Sequence, residues 1–344
     1  MKLAWLSAGV VVMAALVVIG CKPRAGSDGN GPVTLTYANF PPASTFPCVQ
    51  MEQWKAEVEK RTAGKVKIQT FPGGTLLNAK NMYDGIDSGV ADIGCFAMSY
   101  QPGRFPVSEA VDLPLGFTNS KVASVALFDL VRKYNPKEFE KVKIITMFTC
   151  PPANFMTSKP AKSLADLKGM QLRVSGTAVD AVKLLGATPV AMPMSDTPDA
   201  IQKGVVTGLV SSMEVLKDMG FAAYCPYATR ADIHVVTFAV VMNKKKWESL
   251  SDEAKKAIDD MARDHARWTG EYVDQHVQES LAWAKEKHNQ QLFELPAEER
   301  QQVMQLLQPM VEAYVKKVSA SGLNGQQIIA DIRAIKESLE KEGK

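Results

Sequence analysis

The stretch from Ser251 to Gln290 constrains the fold more than any other part of this 344-residue sequence. It contains no proline, and Ile258, Met261, His265, Trp268 and Tyr272 recur at spacings of 3, 4, 3 and 4. That is the period of one apolar face on an α-helix. Ser251 stands at the N-cap with Asp252 and Glu253 in the first turn, where a helix favours an oxygen acceptor and negative charge. At 1.5 Å per residue such a rod is about 60 Å long. One small lobe is shorter than that, so the helix is expected to bridge two. The chain length agrees: at roughly 150 residues per domain it allows about two domains.

The rest alternates between strands and helices. The first block predicts strands at Val33–Ala38, Lys65–Phe71, Ala91–Phe96 and Lys143–Phe148. Helices fall at Ser44–Arg61, Leu76–Ser88 and Ser120–Tyr134. A second block starts near Pro151, with strands at Met170–Val174, Ala187–Met192 and Val205–Val210 and a long apolar one at Ile233–Met242. Its helices are Ser163–Gly169, Thr177–Leu185 and Ser195–Lys203, and Pro309–Ser321 and Gln326–Lys341 are helices near the end of the sequence. Such alternation argues for an α/β fold, parallel sheets covered by helices. Apolar residues at 46% and charged residues at 22% are the ordinary soluble balance. They exclude a disordered, collagen-like or polytopic membrane chain. A formal charge of +3 is too even for a nucleic-acid-binding domain.

The first twenty residues differ from the rest. Lys2 precedes an uncharged, almost wholly apolar run from Leu3 to Gly20, the layout of a signal peptide. The run ends Val18-Ile-Gly-Cys21, which resembles a bacterial lipobox, whose cysteine is acylated and becomes the new N-terminus. Residues 1–20 are therefore expected to be a lipoprotein signal peptide. Residues 21–32, rich in Gly and Pro, form a flexible tether. This places the protein in the periplasm or on the outer face of the cytoplasmic membrane, lipid-anchored through Cys21. An uncleaved anchor with an incidental cysteine would export the chain equally. Cys48, Cys95, Cys150 and Cys225 remain. An even number permits two disulfides in three pairings, among which sequence does not choose.

No GxGxxG, Walker loop, HExxH or GxSxG occurs. His265 and His276 return to nearly the same helix face, but about 16 Å apart along the axis, too far to share a metal. Neither Cys150 nor Cys225 has a base in a local signature. No catalytic residue, cofactor or metal is therefore expected. His234, at the start of the long strand, could reach a cleft.

Three sets of motifs carry a resemblance. One is Leu167-Lys-Gly-Met-Gln-Leu-Arg173-Val-Ser-Gly-Thr, then Leu184-Leu-Gly-Ala-Thr-Pro-Val-Ala-Met-Pro-Met-Ser-Asp196, then Ala200-Ile-Gln-Lys-Gly-Val-Val-Thr-Gly208. The second is Phe71-Pro-Gly-Gly-Thr-Leu, then Gly89-Val-Ala-Asp-Ile-Gly94 and Asp112-Leu-Pro-Leu-Gly-Phe117. The third is Met242-Asn-Lys-Lys-Lys-Trp-Glu-Ser-Leu-Ser251. In this order they resemble the DctP-type solute-binding proteins of tripartite ATP-independent periplasmic (TRAP) transporters, from about residue 33 to about 320. The resemblance implies a two-lobed periplasmic-binding-protein-like fold, each lobe a mixed sheet flanked by helices, with the long helix spanning both. Crossings would fall near Thr149–Asn154, near Thr237–Asn243 and in the long helix. Lobe I would be 33–152 plus 243–280, and lobe II 153–242 plus 281–344.

The function so implied is that of an extracytoplasmic receptor. It binds a small organic acid between the lobes and delivers it to membrane permease subunits. The alternative is a ligand-sensing lipoprotein of the same fold with a signalling partner. Arg173 is the first candidate for the solute carboxylate. Strand alternation sets Met170, Leu172 and Val174 toward the core and Gln171, Arg173 and Ser175 away from it, and the family's arginine on that strand pairs with the carboxylate. Elsewhere the sequence departs from the sialic-acid-binding members. Asn154 stands where they have a second arginine, Ser211 where they have an asparagine, and Phe40, Phe96 and Met194 near other pocket positions. A less charged, more apolar pocket follows, suited to a monocarboxylate with an apolar or aromatic body.

Overall fold

The computed structural model describes residues 32–342. The expected signal peptide, Cys21 and nearly all of the tether lie outside the described residues. Among the described residues, eleven strands form two sheets. β1 is Val33–Asn39, β2 Val66–Phe71, β3 Ile93–Ala97, β4 Val142–Thr149, β5 Asn154–Thr157 and β6 Gln171–Val174. β7 is Thr188–Ala191, β8 Gly208–Ser211, β9 Tyr227–Arg230, β10 Thr237–Asn243 and β11 Gln291–Glu294. The first sheet has the order β2-β1-β3-β10-β4 and the second β11-β9-β5-β8-β6-β7.

Each sheet contains one reversed strand. β10 runs antiparallel to both β3 and β4, and β5 antiparallel to both β8 and β9. The other recorded pairings are parallel. The physical cause is the path of the chain. A helical crossover returns the chain to the same end of the sheet and gives a parallel strand. β5 and β10 instead follow a strand of the other sheet directly, β4 and β9, through residues 150–153 and 231–236. They therefore run away from the junction, while the parallel strands point their carboxyl ends toward it. The two crossing segments hold each other. Cys150 N–H donates to Val236 O at 2.9 Å, Ala153 N–H to His234 O at 2.7 Å and Ile233 N–H to Ala153 O at 3.0 Å. Residues 233–236, expected in a long strand, belong to this crossing. β10 lies in the first sheet, so the expected lobe boundary at 242 moves back to the start of that strand.

The expected rod is present as a helix from Asp252 to His288, with the Ser251 side chain accepting from Ala254 N–H. It packs on the Ser120–Tyr134 helix and β4 on one side of the junction and on the Val215–Asp218 helix on the other. Asp274 on the long helix accepts from Ser120 N–H at 2.7 Å and Lys121 N–H at 2.9 Å, so it serves as the external cap of the Ser120–Tyr134 helix. Gly270 permits the contact, because a Cβ there would lie 2.5 Å from Lys121 Cα. The buried face differs in part from the expected stripe. Ile258, Met261 and His265 are buried. Trp268 and Tyr272 are half-buried and stack with His265 and His276 in one column of rings spaced 5.4, 5.4 and 5.6 Å.

Three other departures have local causes. The helix expected at Leu76–Ser88 begins only at Met82. Asn78 closes a turn instead, its side chain accepting from Lys80 and Asn81 N–H. The helix expected from Pro309 runs from Ala297 to Ala320 with Pro309 inside it. The final helix, Gly325–Glu342, packs on the Ser120–Tyr134 helix, which sets it beside the first sheet rather than in lobe II. All four described cysteines are free and buried.

Candidate functional site

Strand direction determines what meets at the junction. Ligands of open α/β sheets bind outside the carboxyl ends of parallel strands. Just past those ends lie Phe40 after β1, Tyr100 after β3 and Ser175 after β6, with Ser211 the last residue of β8. The opening turns of the reversed strand and its approach add Val236 and Phe238. These residues enclose a cavity with about 60 Å³ in which a water-sized sphere can be centred. Arg173, Met194, Phe46, Cys150, Glu214 and Asp218 also line it. A larger neighbouring cavity of about 390 Å³ shares Tyr100 and Ser175 with the first. Its walls are more polar, with Ser99, Asp112, Thr177 and Thr237 among them. Burial raises the Asp112 carboxyl well above the usual range, and it accepts Thr237 N–H at 2.9 Å.

Arg173 is 2% exposed. The alternation on β6 is as expected, with Leu172 and Val174 in the core and Arg173 facing the cavity. Its Nε and Nη2 donate together to Met192 O at 3.0 and 2.8 Å. Nη2 also approaches Tyr100 Oη at 3.5 Å. No carboxylate pairs with it among the described residues, and Nη1 has no recorded hydrogen bond. The side edge of the guanidinium is thus clamped, and Nη1 is left without a protein acceptor among the described residues.

The apolar wall is a cluster of rings. Phe40 packs edge-on to Tyr100 with centroids 5.6 Å apart and parallel to Phe238 at 6.4 Å. Phe46 meets Phe238 edge-on at 5.9 Å. Of the sequence candidates, Arg173, Ser211, Phe40 and Met194 come together here.

Asn154, Phe96 and His234 do not line the cavity. Asn154 Oδ1 accepts from Ala231 N–H at 2.7 Å and Asp232 N–H at 2.9 Å, and its amide donates to Pro152 O at 2.9 Å. It pins the two crossing segments together. Phe96 is fully buried between Tyr83 and Phe105, a core position that β3 assigns by its pleat. His234 Nδ1–H donates to Val235 O at 2.9 Å. Burial lowers its pKa to about 4, with the Arg173 charge adding to the effect, so the ring is neutral.

Tyr100, Phe46, Phe238, Glu214 and Asp218 were not among the sequence candidates. Phe238 and Tyr100 each stand at the junction end of an apolar strand, which was the available signal. Glu214 and Asp218 share the face of one helical turn, i and i+4. Burial, the largest cause, raises Glu214 to about 7, with Asp218 adding to the rise and the Ser212 hydroxyl opposing it. Burial also pushes the Cys150 thiol well above its ordinary value, which disfavours the nucleophilic thiolate.

The two sides of the cleft touch at several points. Ser44 Oγ donates to Asp218 O at 3.2 Å and Thr177 Oγ1 to Asp112 O at 3.0 Å. Gly176, with φ +55°, comes so near Ser99 that a Cβ there would lie 2.6 Å from Ser99 Cβ.

A family model, DctP (bacterial extracellular solute-binding protein, family 7), matches residues 37–317. The chain belongs to the DctP family. Similar solved structures are TRAP periplasmic solute-binding proteins. One from Desulfovibrio salexigens, an open complex, is 51% identical with a TM-score of 0.81, covering 89% of this chain and 96% of that one. One from Rhodoferax ferrireducens, in complex with copurified benzoate, is 26% identical with a TM-score of 0.87, covering 91% and 100%. Among curated relatives, the C4-dicarboxylate-binding protein DctB of Bacillus subtilis is 25% identical over 75% of each chain. The DctP fold is thus the two-lobed α/β architecture that the long helix and the paired crossings build. Members of the family are solute receptors acting outside the cytoplasm.

Proposed function

We propose that this chain is the extracytoplasmic solute receptor of a TRAP transporter. It binds a small organic acid by its carboxylate between the lobes, releases it unchanged and delivers it to separate membrane permease subunits. Arg173 carries the reading. A buried guanidinium without a protein carboxylate is costly unless a ligand supplies the anion. Its planar end matches two carboxylate oxygens. Ser211, Met194 and Phe40 complete the solute contacts, while Asn154, Phe96 and His234 support the cleft from outside it.

The solute is a monocarboxylate with an apolar or aromatic body. Arg173 is the one basic residue among the described residues lining the smaller cavity. A second carboxylate there would be buried unpaired. The rings of Phe40, Phe46 and Phe238 offer stacking worth about 0.5–1.5 kcal/mol beyond area burial. The benzoate in the Rhodoferax ferrireducens relative supports this choice, and the name of the Bacillus subtilis relative points to the competing one. A thermal-shift screen separates them. Aromatic and indolyl acids should stabilise the protein, and succinate and malate should not. Stabilisation by a C4-dicarboxylate with none by any aromatic acid would reverse the assignment.

The receptor is held at the membrane by a lipid on Cys21 after removal of residues 1–20. Intact-mass analysis of membrane-associated protein should show an acylated chain beginning at Cys21. A soluble mature chain starting elsewhere would remove the anchor from this account.

A further inference from the structure

The carboxylate anchor and the ring cluster leave one wall of the smaller cavity without a task. Glu214 and Asp218 both line it. Glu214 is 1% exposed and the Asp218 side chain 4%. One oxygen of each is used within the protein. Glu214 Oε1 accepts the Ser212 hydroxyl at 2.6 Å, and Asp218 Oδ1 accepts from His276 Nε2 at 2.7 Å. The other two, Glu214 Oε2 and Asp218 Oδ2, are buried and accept nothing from the described residues. A buried acceptor with unspent lone pairs costs stability. Two of them on residues that line a ligand cavity, where Arg173 is the one basic residue of the lining, call for a donor that arrives with the ligand.

The charge balance selects the kind of donor. Asp218 is already matched by His276, which that hydrogen bond holds above its ordinary pKa and which Glu279 also approaches, at 3.4 Å. Burial favours the neutral form of Glu214, in which the proton can sit on Oε1 toward Ser212 Oγ and leave Oε2 as a carbonyl acceptor. Arg173 is matched by the solute carboxylate. An ammonium group on the solute would therefore find no free counter-charge, whereas a hydroxyl or ring N–H would find two acceptors.

Resting on the reading of the cleft as an acid-binding site, we propose that the solute is a monocarboxylate whose apolar body carries a neutral hydrogen-bond donor, a hydroxyl or ring N–H, received by Glu214 and Asp218. Glu214 and Asp218 are thus specificity-determining residues, choosing among acids that Arg173 alone would accept equally.

Calorimetric titration of matched pairs tests this on the full-length mature chain. The pairs are 3-hydroxybenzoate with benzoate, 3-hydroxyphenylacetate with phenylacetate, and indole-3-acetate with its N-methyl derivative. In at least one pair the donor-bearing member should bind about tenfold or more tightly. In Glu214→Leu that preference should shrink to less than about threefold, through weaker binding of the donor-bearing member. Asp218→Asn, which keeps the size and the His276 contact but replaces an acceptor, should also reduce it and guards against a misfolded leucine variant. Equal affinity within every pair would overturn the donor proposal and leave the carboxylate reading standing. Tightest binding by 3-(aminomethyl)benzoate would overturn the neutral donor. Failure of every acid to bind would remove the acid-binding reading, and the donor proposal with it.

Discussion

Arg173→Lys isolates the geometry of the anchor from its charge. In the native chain the guanidinium donates through Nε and Nη2 to Met192 O at 3.0 and 2.8 Å. That clamp fixes the plane and leaves the Nη1–Nη2 end toward the cavity. A lysine ammonium is a point donor at the end of a flexible stem. It can serve Met192 O or the solute, and it cannot present two parallel N–H groups to a carboxylate. The variant therefore loses one charge-assisted hydrogen bond of a pair, about 1.5–3 kcal/mol. At 1.4 kcal/mol per tenfold, the Kd should rise about 12- to 140-fold. The assay is calorimetric titration of an aromatic acid that binds the native protein, at fixed pH and salt. Urea unfolding of both unliganded proteins runs alongside, since loss of the Met192 clamp also touches the fold. A Kd within twofold of the native value, with unfolding unchanged, would refute the reasoning and place the carboxylate elsewhere.

Asn154→Ala should leave two buried N–H groups, of Ala231 and Asp232, without an acceptor. The expected cost is about 2 kcal/mol or more in urea unfolding, while solute affinity in the folded protein changes by less than about threefold; a large affinity loss at native stability would return Asn154 to the solute. Gly176→Ala must place a side chain at φ +55° and 2.6 Å from Ser99 Cβ. The αL conformation alone costs roughly 1 kcal/mol, and closure should weaken, read as a larger radius of gyration at saturating ligand than in the native protein and at least fivefold weaker binding; native closure and affinity would show that this contact does not limit the cleft. Glu214, raised to about 7 from an ordinary 4.5, holds more proton in the folded than in the unfolded state between those values. Its contribution to stability should therefore fall as pH rises from about 4.5 to about 7, by on the order of 3 kcal/mol, and flatten above, against the opposite contributions of His234 and His265, whose lowered values make stability rise over much of that range. Glu214→Gln should remove that slope, and an unchanged pH profile by denaturant unfolding would show that the carboxyl titrates normally. The His276 contribution has the same sign as that of Glu214 but is lost only as pH rises past its own raised value, so it leaves a residual slope at higher pH.

The long helix was legible without tertiary information. Its proline-free length, its apolar period and the Ser251 cap are local properties, and a helix near 60 Å cannot be housed in one small lobe. The inward and outward faces of β6 were legible for the same reason, since a pleat alternates whatever it packs against; that set Arg173 away from the core, while its pairing with a carboxylate was read from the family resemblance. The four-residue strands β5, β9 and β11 were not. So short a segment carries too few alternations to be recognised, and it becomes a strand only because neighbours offer hydrogen bonds. The reversal of β5 and β10, and with it the gathering of Phe40, Tyr100, Phe238 and Ser211 at one junction, follows from the path between two sheets and has no local signature. Phe96 and Phe40 show the limit most directly. Both are apolar residues at the junction end of a strand in the same sheet, and only packing decides that one fills the core and the other faces the cavity. Asn154 likewise reads as a polar contact in isolation, and becomes a structural pin because the chain returns beside it 77 residues later. Sequence determines what each segment can bury and donate, whereas non-local contacts decide which of those groups are already satisfied and which, like Nη1 of Arg173 and the second oxygens of Glu214 and Asp218, have no partner among the described residues.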